Sequence, residues 1–118
     1  QDSWQEIQPY GAGKGFDFEQ YWEQGSDTDL FEAAFLKDSM AFVHLRGYAQ
    51  GNNASAGATI FTLPTGYRPT KDTEYVVNST YGAVRINVNS DGTVVASTGF
   101  TPGNAKWISI NGITFDIR

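Results

Sequence analysis

Hydrophobic and polar residues alternate along most of the chain, and the alternation is clearest between residues 42 and 63. Successive side chains of a β-strand point to opposite faces, so residues 42–48 separate an apolar face from a polar and aromatic face. Residues 58–63 repeat the pattern, and the small polar residues 51–57 form a surface connection between the two segments. We therefore predict a long antiparallel hairpin at the centre of a β-sandwich.

The segments on either side of this hairpin also read as short strands. Residues 30–37 suit either two helical turns or a strand, and we choose the strand because a Lys37-Asp38-Ser39 turn would pair it with residues 40–48. The prolines and glycine of residues 63–69 cannot continue a ladder, so this segment must reverse or cross between sheets. Further strands are predicted at residues 74–78, 82–89, 93–96, 106–110 and 113–117, with hairpin turns at residues 89–92 and 111–112.

Together these segments give seven to nine strands with no convincing helix and no internal repeat. The predicted fold class is all-β, an antiparallel β-sandwich that is jelly-roll-like. Residues 1–118 form one domain, in which residues 1–29 are a less regular N-terminal arm. Because the chain begins with Gln1 rather than Met, we expect it to be a piece of a longer protein.

Charged residues are distributed unevenly along the chain, and their distribution excludes some classes of binding partner. The net charge is −5, and nine of the thirteen acidic residues but only two of the eight basic residues lie in the first 40 positions. Nucleic acids and anionic membranes require a basic surface, so neither is an expected partner. The chain contains no Cys, and no run of apolar residues is long enough to cross a bilayer.

Four motifs follow one another between residues 35 and 117: FLKDS…FVHLRG at 35–47, IFTLPTGYRP at 60–69, GAVRINVNSDGTVVA at 82–96 and KWISINGITF at 106–115. In this order and spacing they resemble the receptor-binding modules at the C-terminal end of tail fibre and baseplate proteins of phages that infect Gram-positive bacteria. The resemblance implies a β-sandwich that binds a wall or capsular saccharide of the host and often forms a homotrimer. It also implies a place at the tail tip of a virion, in contact with other tail proteins.

A saccharide site needs a flat aromatic face for the C–H surface of a sugar and planar hydrogen-bonding groups for its hydroxyls. Residues of these kinds that we single out as saccharide-binding candidates are Trp22, Tyr21, His44, Arg46, Tyr48, Arg85 and Trp107.

Each candidate also has a structural interpretation. His44, Arg46 and Tyr48 share one face of the predicted strand, which could equally be a subunit interface. Trp107, like Tyr67, lies in a motif that recurs in the family, so packing is the favoured role for both. Trp22 and Tyr21 could instead cover the end of the core.

Catalysis has little support in the sequence. His44 is the only histidine, no cysteine is present and no GxSxG motif occurs, so a nucleophilic triad has no components. We expect no catalytic residue, no metal and no cofactor. Two alternatives to saccharide binding stay open: a structural trimerisation or collar module, and a polysaccharide hydrolase that uses two of the acids between residues 17 and 38.

Overall fold

The computed structural model describes residues 3–101, 103 and 105–118, which form eleven strands and no helix, and hence no helix that could cross a membrane. The strands are β1 (Gln5–Glu6), β2 (Trp22–Gln24), β3 (Ala34–Lys37), β4 (Phe42–Arg46), β5 (Tyr48–Gly51), β6 (Thr59–Thr62), β7 (Thr73–Ser79), β8 (Gly82–Val88), β9 (Thr93–Ala96), β10 (Lys106–Ser109) and β11 (Thr114–Asp116).

These strands form two antiparallel sheets. The smaller sheet has the order β1-β3-β4-β11, and the larger sheet has the order β2-β5-β10-β7-β8-β9-β6. The predicted all-β antiparallel sandwich class is confirmed. The strand interpretation of residues 30–37 is confirmed for Ala34–Lys37, because β3 pairs with β4 across the turn at residues 38–41, whereas residues 30–33 precede the strand.

The larger sheet curls until its two ends meet. Phe18, which precedes the edge strand β2, forms a bridge with Phe61 of the opposite edge strand β6. The backbone N–H of Glu19 also donates to the carbonyl of Ile60 at 2.9 Å. The larger sheet is therefore nearly closed, which leaves little unpaired edge for association with another strand.

Alternation along the strands fills the space between the sheets with apolar side chains. The largest side chains that are fully buried include Phe18, Phe35, Phe61 and Phe100. Tyr67 packs edge-on against Phe35 with ring centroids 5.1 Å apart, which confirms the packing role expected for it. Burial of each such ring contributes about 1.5–3 kcal/mol to folding.

The predicted central hairpin is wrong. Residues 42–48 do not form one strand: β4 belongs to the smaller sheet and β5 to the larger sheet, with Gly47 between them. β5 pairs with β2 and β10, whereas β6 pairs with β9. Gly47 has φ = +90°, a conformation that disfavours a side chain. The alternation of apolar and polar residues continues across Gly47 although the chain changes sheet there. The sequence pattern therefore could not show the turn.

A second crossing replaces the hairpin expected at Asn111-Gly112. β10 lies in the larger sheet and β11 in the smaller one, so this turn joins the sheets. The hairpin at residues 89–92 is confirmed, because β8 pairs with β9. Residues 63–69 reverse the chain within the larger sheet, since they connect β6 with β7.

The two crossings are hydrogen-bonded to each other. The N–H of Ile110 donates to the carbonyl of Gly47 at 2.9 Å, and the N–H of Leu45 donates to the carbonyl of Ile113 at 2.8 Å. The N–H of Gly47 donates to the side-chain Oδ1 of Asn111 at 3.3 Å. These bonds pair the N–H groups of Leu45, Gly47 and Ile110 across the corner between the two sheets.

We expect Gly47→Ala to destabilise the domain by about 3 kcal/mol or more, because a left-handed φ and a steric clash act together. A Cβ at Gly47 would overlap the backbone carbonyls of Phe31 and Glu32. Gly112→Ala is the matched control, since Gly112 has φ = +87° but no atom lies within 4 Å of its added Cβ. The control should lose only about 1–2 kcal/mol. Urea unfolding measures both, and equal losses would show that the contact with residues 31–32 is unimportant.

Candidate functional site

A groove of about 390 Å³ opens on the outer face of the larger sheet, beside the paired crossings. Its aromatic and aliphatic lining comes from Leu30, Phe31, Tyr48 and Trp107, and the remaining lining from Asp29, Gly47, Asn78, Ser109 and Asn111. Two further cavities, one beside Tyr21 and one beside Tyr10, contain no Trp in their lining.

Strand register places the aromatic floor of this groove. In β10, Ile108 points into the core, so Trp107 and Ser109 point outward. Ser109 is paired with Tyr48 of β5. The rings of Tyr48 and Trp107 meet edge to face, with centroids 6.4 Å apart and planes 89° apart, so they form a right-angled corner.

Trp107 is 36% exposed, so it is not a buried core ring, and its aromatic packing contact is the edge-to-face one with Tyr48. Its backbone is fixed to the neighbouring chain: the Trp107 N–H donates to the Oγ1 of Thr80 at 2.8 Å, and the Thr80 N–H donates to the carbonyl of Trp107 at 3.0 Å. The indole is thus exposed to solvent but carried by a fixed strand. Because the backbone is held, a ligand that stacks on the indole has only the two side-chain torsions of Trp107 to order.

Tyr48 holds the wall of the groove in place. Its ring is buried beneath residues 25–31, and Gly25 lies so close to the ring that any Cβ would overlap it. The Tyr48 hydroxyl accepts a hydrogen bond from the N–H of Asp27 and donates one to the Asp27 carbonyl at 3.3 Å. Residues 25–31 are therefore anchored to the sheet, and they bring Asp29, Leu30 and Phe31 to the rim.

The polar rim is built at the crossing. Asn111 is held by the bond from Gly47 and by its own N–H, which donates to the Oγ of Ser109 at 3.1 Å. Asn78 extends from β7 on the same outer face. Amide side chains carry both donors and acceptors, as recognition of vicinal hydroxyls requires.

Arg46 lies next to the groove but does not line it. Its guanidinium is stacked between the rings of Trp4 and Phe31, with distances of 4.2 Å and 4.3 Å from Cζ to the ring centroids. Its buried Nε has no hydrogen-bond partner among the described residues. The role that the structure gives Arg46 is to support Phe31 from behind, because one face of that ring is occupied by the cation.

His44 and Tyr48 do not share a face, so the predicted polar face of residues 42–48 is wrong. His44 lies on the outer face of the smaller sheet, with Nε2 2.7 Å from the Oδ2 of Asp38 and Nδ1 3.1 Å from the Oγ1 of Thr114. The hydrogen bond from His44 holds the pKa of Asp38 below its ordinary value. Gly47 is the reason for the separation, since it turns the chain between the two residues.

Three other candidates lie outside the groove. Trp22 is 3% exposed and stacks on Phe100 at 6.1 Å, which corresponds to the packing alternative and makes its ring inaccessible to a ligand. Tyr21 is 56% exposed and lines a separate cavity with Glu19 and Thr59. Arg85 projects from β8 and is 3.8 Å from a carboxylate oxygen of Glu74.

Sequence reasoning identified only Tyr48 and Trp107 among the residues that line the groove. Asp29, Leu30, Phe31, Asn78 and Asn111 were not among the candidates. The signal available in the sequence was the adjacent apolar pair Leu30-Phe31 after a polar turn. In the structure both side chains are more than half exposed. Asn78 and Asn111 carried no signal of their own, because amides in strands and turns are common on any protein surface.

A pair of carboxyl groups, Glu6 and Glu32, lies outside the groove lining. Hydrogen bonding to Glu32 raises the pKa of Glu6, and partial burial and repulsion by Glu32 add to the shift, whereas the nearby Arg46 opposes it. Within the described ranges, no three His, Cys, Asp or Glu side chains are grouped so that they could hold a metal ion.

Comparison of the sequence with models of known protein families gives no match. Comparison with curated proteins also gives no match. The resemblance of residues 35–117 to phage tail modules therefore stays a prediction, and the geometry of the groove is the structural basis for a functional proposal.

We expect Trp22→Ala to destabilise the domain by about 3–5 kcal/mol, because it removes a buried ring from the core. Trp107→Ala should change the free energy of unfolding by only about 1 kcal/mol, since it loses mainly the edge contact with Tyr48. Chemical denaturation of the two variants measures the difference. If Trp107→Ala lost as much unfolding free energy as Trp22→Ala, the Trp107 ring would belong to the core and not to the site.

We expect Glu32→Gln to bring the pKa of Glu6 down toward its ordinary value of 4.5. A raised pKa means that the folded state holds the proton more tightly, so the associated stability is present below pH 4.5 and is lost as the pH rises through the folded value. The variant should therefore lose less stability than the wild type over this rise in pH.

Carboxyl NMR titration and urea unfolding across the same pH range measure the effect of Glu32→Gln. Glu23→Gln is the control, because it removes the same charge from β2. An unchanged pKa of Glu6 in Glu32→Gln would contradict the coupling of the two carboxyl groups.

Proposed function

We propose that this domain is a noncatalytic saccharide-binding module and that the groove beside the paired crossings is its binding site. The observation that carries the proposal is the right-angled corner of Tyr48 and the exposed Trp107, rimmed by Asn78 and Asn111. An indole face suits the C–H surface of a sugar ring, and amide groups suit its hydroxyls. The volume of about 390 Å³ lies within the range of small-ligand pockets, ~300–1,000 Å³.

The site is preorganised, which supports a binding role. The backbone of Trp107 is fixed by its bonds to Thr80, the ring of Tyr48 by its hydroxyl bonds to Asp27, and the side chain of Asn111 by its bond from Gly47. A ligand that enters such a groove orders few side chains. Each rotamer-rich side chain that need not be immobilised saves about 0.5–1.5 kcal/mol of binding free energy.

The noncatalytic part of the proposal follows from the number of acids. Glycosidases generally use two carboxyl groups on opposite sides of the scissile bond, roughly 5–9.5 Å apart. Asp29 is the one acidic residue among the described residues that line the groove. Glu6 and Glu32 are paired with each other and do not belong to that lining.

The sequence resemblance supports a biological setting for this activity. We propose that the parent protein is a tail fibre or baseplate protein of a phage, and that the ligand is a wall or capsular saccharide of a Gram-positive host. A homotrimer that contacts other tail proteins belongs to the same proposal. The groove uses residues of the matched motifs, such as Trp107 and Asn111, together with residues 29–31, which precede them.

A structural assembly module is the second candidate, and the exposure of Val76 favours it. Val76 is 77% exposed on the outer face of β7, next to Arg85 of β8. An apolar side chain at the centre of a flat hairpin face could pack against another subunit. If the domain is an assembly module, we expect it to form an oligomer and to bind no saccharide.

We expect the wild-type domain to bind a member of a glycan array of wall and capsular saccharides, and Trp107→Ala to weaken that binding about tenfold or more. The stacking surface is lost while the fold is kept. Tyr10→Ala is the matched control, because Tyr10 is 59% exposed but outside the groove, and it should bind like the wild type. Calorimetric titration with the best array ligand gives the dissociation constants.

Clear absence of binding by the folded wild type would reject the saccharide proposal, and a stable oligomer with that result would favour the assembly module. Equal binding by Trp107→Ala and wild type would place the site elsewhere. Shortening of the bound saccharide during incubation would overturn the noncatalytic assignment.

A further inference from the structure

We infer that the groove recognises a saccharide unit with a free ammonium group, such as a hexosamine without its acetyl group, through Asp29 and the surrounding aromatic rings. The inference rests on the proposed saccharide-binding function and names the class of its ligand. It follows from the charge and the ring composition of the groove.

Asp29 supplies an unpaired negative charge at the rim. Its N–H donates to the Oδ1 of Asp27 at 2.9 Å, which fixes the turn, but no donor among the described residues pairs with the Asp29 carboxylate. Asp27 is used differently, since its carboxylate closes the turn and its backbone binds Tyr48. The carboxylate that faces a ligand is therefore Asp29.

The groove lining contains aromatic rings and no base. Phe31, Tyr48 and Trp107 all line it, and no Lys or Arg of the described chain does. Ring faces carry negative potential, so aromatic surfaces beside a carboxylate attract a cation and disfavour a phosphate or a carboxylate. Phe31 already binds one cation, since the Arg46 guanidinium lies 4.3 Å from its centroid.

The charge of Arg46 does not reverse this preference. Its guanidinium is covered by the rings of Trp4 and Phe31, and the carboxyl groups of Glu6 and Glu32 lie beside it. Arg85, on β8, is close to Glu74. The acidic first third of the chain, which contributes Asp29, adds a long-range attraction for cations.

The test uses two tetrasaccharides of equal length: chitotetraose, which is fully acetylated, and the same tetramer without acetyl groups. Calorimetry at low and physiological salt gives the dissociation constants for wild type and variants. We expect the ammonium-bearing tetramer to bind wild type about fivefold to tenfold more tightly. Asp29→Asn should remove most of this preference, and Trp107→Ala should weaken both tetramers.

Glu23→Gln is the matched control, because it removes one negative charge from β2 outside the groove and should leave the preference intact. Equal binding of the two tetramers to wild type would overturn the inference while the saccharide-binding function stood. The inference would also be overturned if the preference for the ammonium-bearing tetramer survived in Asp29→Asn, or if it fell equally in Glu23→Gln. A neutral or acidic array saccharide bound by a protein that ignores the ammonium-bearing tetramer would also overturn it. If no saccharide binds, the proposed function itself fails.

Discussion

The hydrogen-bonded pair of crossings is the constraint on which the rest of the structure depends. Two sheets can share one core only if the chain passes between them without burying unpaired backbone groups. Here the passage at Gly47 and the passage at Asn111 satisfy each other, through Ile110, Leu45 and the Asn111 side chain. Because Gly47 lacks a Cβ, the backbone of Glu32 can also pack against this corner. The corner thus fixes both sheets and the segment that walls the groove.

Tyr48 extends this constraint from the fold to the site. It begins β5 immediately after the corner, so its outward direction is set by the turn at Gly47. Its hydroxyl then anchors residues 25–31, and its ring forms one side of the corner with Trp107. A buried tyrosine with its hydroxyl bonded to backbone is a rigid element. The geometry of the groove is consequently a product of the same turn that joins the sheets.

Local pairings were predictable from the sequence, and long-range pairings were not. The turns after residues 37 and 89 join neighbouring strands, and alternation with turn residues identified both hairpins. The pairing of β5 with β10 and of β6 with β9 links distant segments, for which a period of two contains no information about the partner. The choice between site and packing roles for Trp22 and Trp107 was open for the same reason, because only the register decides which face of a sheet a ring occupies.

The residues that line the groove differ in how strongly the fold depends on them. Trp107 and Asn111 belong to strand and crossing, where a change of backbone would disturb both sheets. Asp29, Leu30 and Phe31 belong to a connection that is held mainly through backbone bonds to Tyr48, and their own side chains are exposed. Since backbone bonds do not depend on side-chain identity, these three positions can change without loss of the anchor. The stacking platform is therefore tied to the fold, whereas the charge that selects a ligand is set by residues 29–31 and can vary independently of it.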